Sequence, residues 1–213
     1  MGIIHQIHQL TSFPFLNFFT MDVTHKSGRD ATYFVASRAK KVEDLKAVTH
    51  KNTADGVIIY SVYGEKRDKV VLIRQYRYPI DGYVYEFPAG LVEWGENFQE
   101  AGIREMKEET GLDFTPISAG DSYTRPYFTT IGMTDESCGT VYGYAFGEPS
   151  RDGQEDSEEI QIVLADKEEV RRILKEENVA IMCAYMLMHF LNSKEGEPFG
   201  FLETKKKGEN YDS

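Results

Sequence analysis

Between Gly90 and Leu112 the chain reads GLVEWGENFQEAGIREMKEETGL, and within it Glu96, Glu105, Glu108 and Glu109 are grouped around a single arginine, Arg104. Carboxylates this close repel one another unless a cation sits among them. Residues three and four apart share one face of a helix, so Glu105, Glu108 and Glu109 project together, with Arg104 one turn before Glu108. No imidazole or thiolate lies between them. An all-carboxylate set suits a hard divalent cation, Mg2+ or Mn2+, which proteins commonly hold with few carboxylates and the phosphates of a substrate. Arg104 is placed to pair with one carboxylate and fix its orientation. The plainer alternative is a solvated acidic helix carrying an i,i+4 ion pair.

A strand, a tight loop and a helix must position these groups. The segment YVYEFPAG alternates like a strand and stops at Pro88-Ala89-Gly90. Asn97 is a helix cap with Glu100 three residues on to complete a capping box, and Gly111 is placed to end the helix after Thr110. Upstream, GVIIYSVYG and KVVLIRQYRY are β-rich apolar runs separated by EKRD, which predicts paired core strands. FPFLNFFTMDV and ATYFVASR, joined by SGRD, predict a leading hairpin. Phe13, Phe15, Phe18 and Phe19 in this part read as core or interface residues.

Strand-like runs follow at SYTRPYFTT, GTVYGYAFG and EIQIVLA, and KEEVRRILKEEN places Val170, Ile173 and Leu174 at helical spacing. The last helix, in VAIMCAYMLMHFL, is apolar nearly all round and is expected in the core or in a subunit interface. The order of elements predicts an α+β fold, a mixed β-sheet sandwiched between helices, preceded by an N-terminal antiparallel β element. The expected division is an N-terminal element at 1–45, one main domain at 46–200 and a charged, flexible tail at 201–213.

The balance of 24 Lys and Arg against 35 Asp and Glu, a net charge of -11, argues against nucleic acid or an anionic membrane surface as partner. An anionic small substrate would need local cations. Two cysteines, Cys138 and Cys183, lie far apart without metal-site spacing, which favours reduced thiols and a cytoplasmic protein. The first residues fit no signal peptide, no run is long enough for a membrane span, and the five histidines form no ligand constellation.

The spacing Gly90, five residues, Glu96, seven residues, Arg104-Glu105, one residue after Met106, Glu108-Glu109 and Gly111-Leu112 strongly resembles the Nudix box. The resemblance implies a Nudix fold and metal-dependent cleavage of a diphosphate linked to another moiety. It implies that Glu105, Glu108 and Glu109 hold Mg2+ or Mn2+, that Glu96 supports the site, that Arg104 orients the glutamates, and that the Ala89 backbone carbonyl joins the ligands. Around the box, RQYRYP, YEFPAG and Pro126 are similar to the ADP-ribose pyrophosphatase branch, as is TTIGMTDE apart from Thr130-Ile131 where that branch has Ser-Pro.

That branch implies hydrolysis of ADP-ribose to AMP and ribose 5-phosphate by a homodimer whose N-terminal β element packs on the partner. Arg77 would contact the substrate diphosphate or ribose, since a guanidinium suits bidentate phosphate contact, or else pair with a neighbouring carboxylate. Glu86 would contact ribose or adenine. The catalytic base is expected in DGQEDSEEIQIV, which offers Glu155, Glu158 and Glu159; Glu159, just before the strand, is favoured, with Glu136 as rival. Alternatives from the same residues are another nucleoside diphosphate substrate, such as GDP-mannose or a UDP-sugar, or a nucleotide-sensing module without turnover.

Overall fold

A computed structural model describes residues 1–154 and 159–202. The chain divides into two compact units, one formed by Met1–Asp55 with Pro126–Cys138 and the other by Gly56–Arg125 with the residues from Gly139 onward. The boundary at Asp55 and the inclusion of 126–138 differ from the division set at 45 by sequence. Of the tail expected at 201–213, Leu202 is buried in the core and Phe201 packs against it, and residues 203–213 lie outside the described residues.

In the first unit β1 (Ile3–Gln9), β2 (Asn17–Thr24) and β3 (Asp30–Ser37) form an antiparallel sheet in the order β1-β2-β3. The expected hairpin is β2–β3, and a third strand joins it. Strand β1 escaped the sequence reading because IIHQIHQ has no clean apolar alternation and is nearly all exposed. Alternation along β2 sends Phe19 and Met21 inward against Val35 and Leu45, and leaves Phe18 exposed on the opposite face. The four-residue helix α1 (Lys46–Thr49) follows.

The second unit holds a mixed sheet. Its strands are β4 (Gly56–Tyr63), β5 (Lys69–Arg77), β6 (Gly82–Glu86), β7 (Ala89–Leu91) and, after α2 (Phe98–Thr110), β8 (Asp113–Pro116). The short helix α3 (Asp121–Thr124) and the two-residue strand β9 (Tyr127–Phe128) come next, so SYTRPYFTT is not the single strand expected from its β-rich composition. Strand β10 (Ser137–Phe146), whose first two residues pair with β9 in the first unit, and β11 (Ile160–Ala165) complete the set, followed by α4 (Lys167–Glu176) and α5 (Ile181–Asn192). The main path is β11-β5-β4-β10-β8, with β6 on β5 and β7 on β4.

Both faces of this sheet are covered, which is why β4 and β5 read as nearly continuous apolar runs. Val57, Ile59, Val71 and Val141 pack against Ala101 and Met106 of α2. Their neighbours Tyr60, Val62, Val70 and Leu72 face Val170 and Ile173 of α4 and Leu187 and Phe190 of α5. The alternation along each strand is the sandwich seen from the sequence. Helix α5 buries one side only: Ile181, Tyr185 and Met188 are exposed, so its apolar character is not fully used by the core. Both cysteines are free, Cys183 buried and Cys138 partly so.

Candidate active site

Local rules place α2 where the box needs it. The Asn97 side chain accepts from the backbone N–H groups of Gln99 (2.9 Å) and Glu100 (3.1 Å), and the Glu100 carboxylate accepts from Asn97 N–H at 3.0 Å. At the other end Gly111 adopts φ 71°, the left-handed conformation that releases the chain from the helix. Gly102 lets the helix approach the sheet, since a Cβ there would lie 3.3 Å from Val141.

Arg104 is the cation among the carboxylates. Its Nε and NH2 donate to Glu96 Oε1 (3.1 Å) and Oε2 (3.0 Å), its NH1 donates to Glu105 Oε1 and Glu108 Oε2 (2.9 Å each), and NH2 also donates to the Leu91 carbonyl at 3.0 Å. A guanidinium has five N–H donors, and these five contacts use the whole fork. The Glu96 bond is the main cause of a guanidinium pKa held above its ordinary value, with Glu105 and Glu108 adding to it against the opposing effect of burial. Conversely, Arg104 holds the Glu96 carboxyl below the usual carboxylate range.

Two backbone features bring β7 to the same place. Glu109 is 2% exposed, and its Oε2 accepts from Ala89 N–H at 3.1 Å. At Gly90 a Cβ would stand 1.9 Å from the Glu105 carboxyl carbon, so only glycine leaves room for that carboxylate against the strand. The structure thus brings together Ala89, Glu96, Arg104, Glu105, Glu108 and Glu109. Among the described residues no three acidic, His or Cys side chains already converge as a metal cage; Arg104 stands between them instead. The donor set is nonetheless entirely oxygen, with Glu108 half exposed beside buried Glu109, and this chemistry fits a hard divalent cation completed by substrate phosphates.

Arg77 and Glu86, the two residues expected to touch substrate, touch each other: Arg77 Nε donates to Glu86 Oε2 at 3.1 Å and NH2 donates to the same oxygen. The β5–β6 register sets Arg77 opposite Gly82 and Glu86 opposite Ile73, so the two long side chains reach along the strands to meet. Glu159 lies immediately before β11, where its Oε1 accepts from the Tyr83 hydroxyl and its carbonyl accepts from Tyr76 N–H at 3.2 Å. Glu136 belongs to the first unit, where it accepts from Arg38 Nε at 2.7 Å and from the Thr129 hydroxyl at 3.1 Å. Glu155 and Glu158 lie outside the described residues.

Three contributors escaped the sequence reading. The Leu91 carbonyl has no side-chain signature, the Tyr83 contact depends on strand register, and Gln154, whose Nε2 donates to the Glu109 carbonyl at 2.7 Å, comes from a distant loop.

The NUDIX domain family matches residues 52–185, and the chain belongs to that family. It is 39% identical over 69 residues to the ADP-ribose pyrophosphatase of Saccharomyces cerevisiae, covering 32% of this chain and 30% of the relative. It is 40% identical over 110 residues to the ADP-sugar pyrophosphatase of Mus musculus, covering 46% of this chain and 50% of the relative. The matched stretches therefore span half or less of these relatives' own length, and within them the chain resembles the ADP-ribose pyrophosphatase branch. A crystal structure of an ADP compounds hydrolase superposes with a TM-score of 0.59 over 82% of this chain and 83% of that one at 17% identity, a likeness of fold.

Proposed function

We propose that this chain is a metal-dependent hydrolase that cleaves the diphosphate of ADP-ribose to give AMP and ribose 5-phosphate. The observation that carries the reading is the Arg104 fork, which holds Glu96, Glu105 and Glu108 in one orientation beside buried Glu109. The names of the yeast and mouse relatives supply the substrate class.

In this reading Glu105, Glu108, Glu109 and the Ala89 carbonyl hold Mg2+ or Mn2+, with Glu96 supporting them through Arg104. A cation held there would supply charge neutralisation and Lewis acidity to the diphosphate. Arg77 exchanges Glu86 for a phosphate or ribose oxygen, and Glu86 turns to ribose or adenine. Glu159 is the base, preferred to Glu136 because the latter is committed to Arg38 and Thr129. It takes the proton of the water whose oxygen bonds to one phosphorus as the bridging P–O bond breaks, leaving two monophosphates.

The same proposal makes the protein a cytoplasmic homodimer. Residues 1–45 serve as the dimer-forming element, to which exposed Phe13, Phe15 and Phe18 contribute apolar surface, and 46–200 as the hydrolase domain. Incubation with ADP-ribose, GDP-mannose, UDP-glucose and NADH, with Mg2+ and Mn2+ tested separately, is expected to give AMP and ribose 5-phosphate from ADP-ribose as the preferred reaction. Preference for another compound would overturn the substrate assignment. Light scattering is expected to give twice the monomer mass, and a monomer mass would overturn the dimer.

A further inference from the structure

An exposed glutamate samples many rotamers, yet a general base must keep one oxygen aimed at its proton. Glu159 is held at two points: Tyr76 N–H fixes its backbone carbonyl at 3.2 Å, and the Tyr83 hydroxyl donates to Oε1. Tyr83 is itself clamped. The Arg74 guanidinium carbon stands 3.9 Å from the Tyr83 ring centroid, and Arg74 NH1 donates to Gln161 Oε1 at 3.3 Å, tying the stack to β11. The Tyr76 ring meets the Tyr83 ring edge-on at 5.7 Å and 76°. The titratable and charged groups around the contact are therefore Tyr83 of β6 with Tyr76 and Arg74 of β5, and Tyr76 is in turn bonded to Asp81.

We propose that Tyr83 is the positioning residue for the base: its hydroxyl pins Oε1 of Glu159 and leaves Oε2 to take the proton of the attacking water. The inference rests on the reading of Glu159 as base in the hydrolysis proposed above. The Glu159 bond is the main cause of a Tyr83 pKa above its ordinary value.

The test compares the full chain with Tyr83→Phe and Glu159→Gln in ADP-ribose hydrolysis across pH. Tyr83→Phe is expected to lower kcat about tenfold and to leave KM within about twofold. A readout independent of turnover is the 13C-ζ resonance of Tyr83, which is expected to titrate at lower pH in Glu159→Gln than in wild type. An unmoved resonance would overturn the contact. A moved resonance with an unchanged kcat for Tyr83→Phe would overturn the positioning role while leaving the hydrolase reading intact. Full activity of Glu159→Gln would remove the base, and the proposal with it. Absence of wild-type turnover on ADP-ribose, GDP-mannose, UDP-glucose and NADH would instead overturn the hydrolase reading on which both depend.

Discussion

Arg104 and Glu96 form a two-pronged ion pair, Nε to Oε1 at 3.1 Å and NH2 to Oε2 at 3.0 Å, across the loop that leads into α2. The pair leaves NH1 to hold Glu105 and Glu108 and ties the loop to the helix that carries them.

Replacing the planar fork should therefore do more than remove a charge. Arg104→Lys keeps the charge but offers three donors in no fixed plane, so it cannot hold Glu96, Glu105, Glu108 and Leu91 together. Expected outcomes are at least a tenfold fall in kcat and a loss of about 1–2 kcal/mol of stability from the broken charge-assisted bonds. Steady-state kinetics and urea denaturation check the two effects.

Gly90→Ala separates the site from the fold. The added methyl would meet the Glu105 carboxyl, the mobile end of a side chain, which can swing away at little expense to packing. Stability should stay within about 1 kcal/mol of wild type, while displacement of Glu105 lowers hydrolysis by roughly 10–100-fold. Thermal melts beside assays of the purified variant check this combination.

Removal of the α2 cap acts through the helix. Asn97→Ala strips the acceptor from Gln99 N–H and Glu100 N–H and should cost about 1 kcal/mol. For a chain of this size that corresponds to a fall in Tm of about 2–4 °C, readable by calorimetry.

The cap and the box were legible because their signals are local. Asn97, Glu100 and Gly111 do what their types and spacing predict, and the close approach at Gly90 makes physical sense of the glycine that opens the motif. Other features depend on tertiary context. Asp113–Pro116 has poor β propensity and becomes a strand by pairing with β10, whereas the aromatic run near Tyr123 is broken by a helical turn. The Arg77–Glu86 pair joins two residues nine apart in the chain and out of register on β5 and β6, through the reach of their side chains, and propensity does not reveal it. Arg104 was legible as an orienting residue, but its reach to Glu96, Glu105 and Glu108 at once was not, because that depends on how the loop folds back on α2.

Acid titration should expose a second ion pair on α4. Arg172 donates to Glu169 through Nε at 2.9 Å and NH2 at 2.7 Å, and it holds that carboxyl below its ordinary value of 4.5. A depressed carboxylate contributes stability that is present above the unfolded value and lost as pH falls through the folded one. Wild type should therefore lose more stability than Glu169→Gln between about pH 5 and pH 3, with the two converging at the acid end. Parallel acid denaturation curves would contradict the assignment.

Glu109 is buried on α2 and bonded to Ala89 N–H, at the centre of the carboxylate cluster. The decisive measurement is chromatographic detection of AMP from ADP-ribose with Mg2+ or Mn2+, using wild type and Glu109→Gln proteins matched by circular dichroism. AMP and ribose 5-phosphate from wild type, with a loss of at least a hundredfold in the equally folded variant, is the predicted result. Equal turnover by the two proteins would contradict the placement of the chemistry on α2.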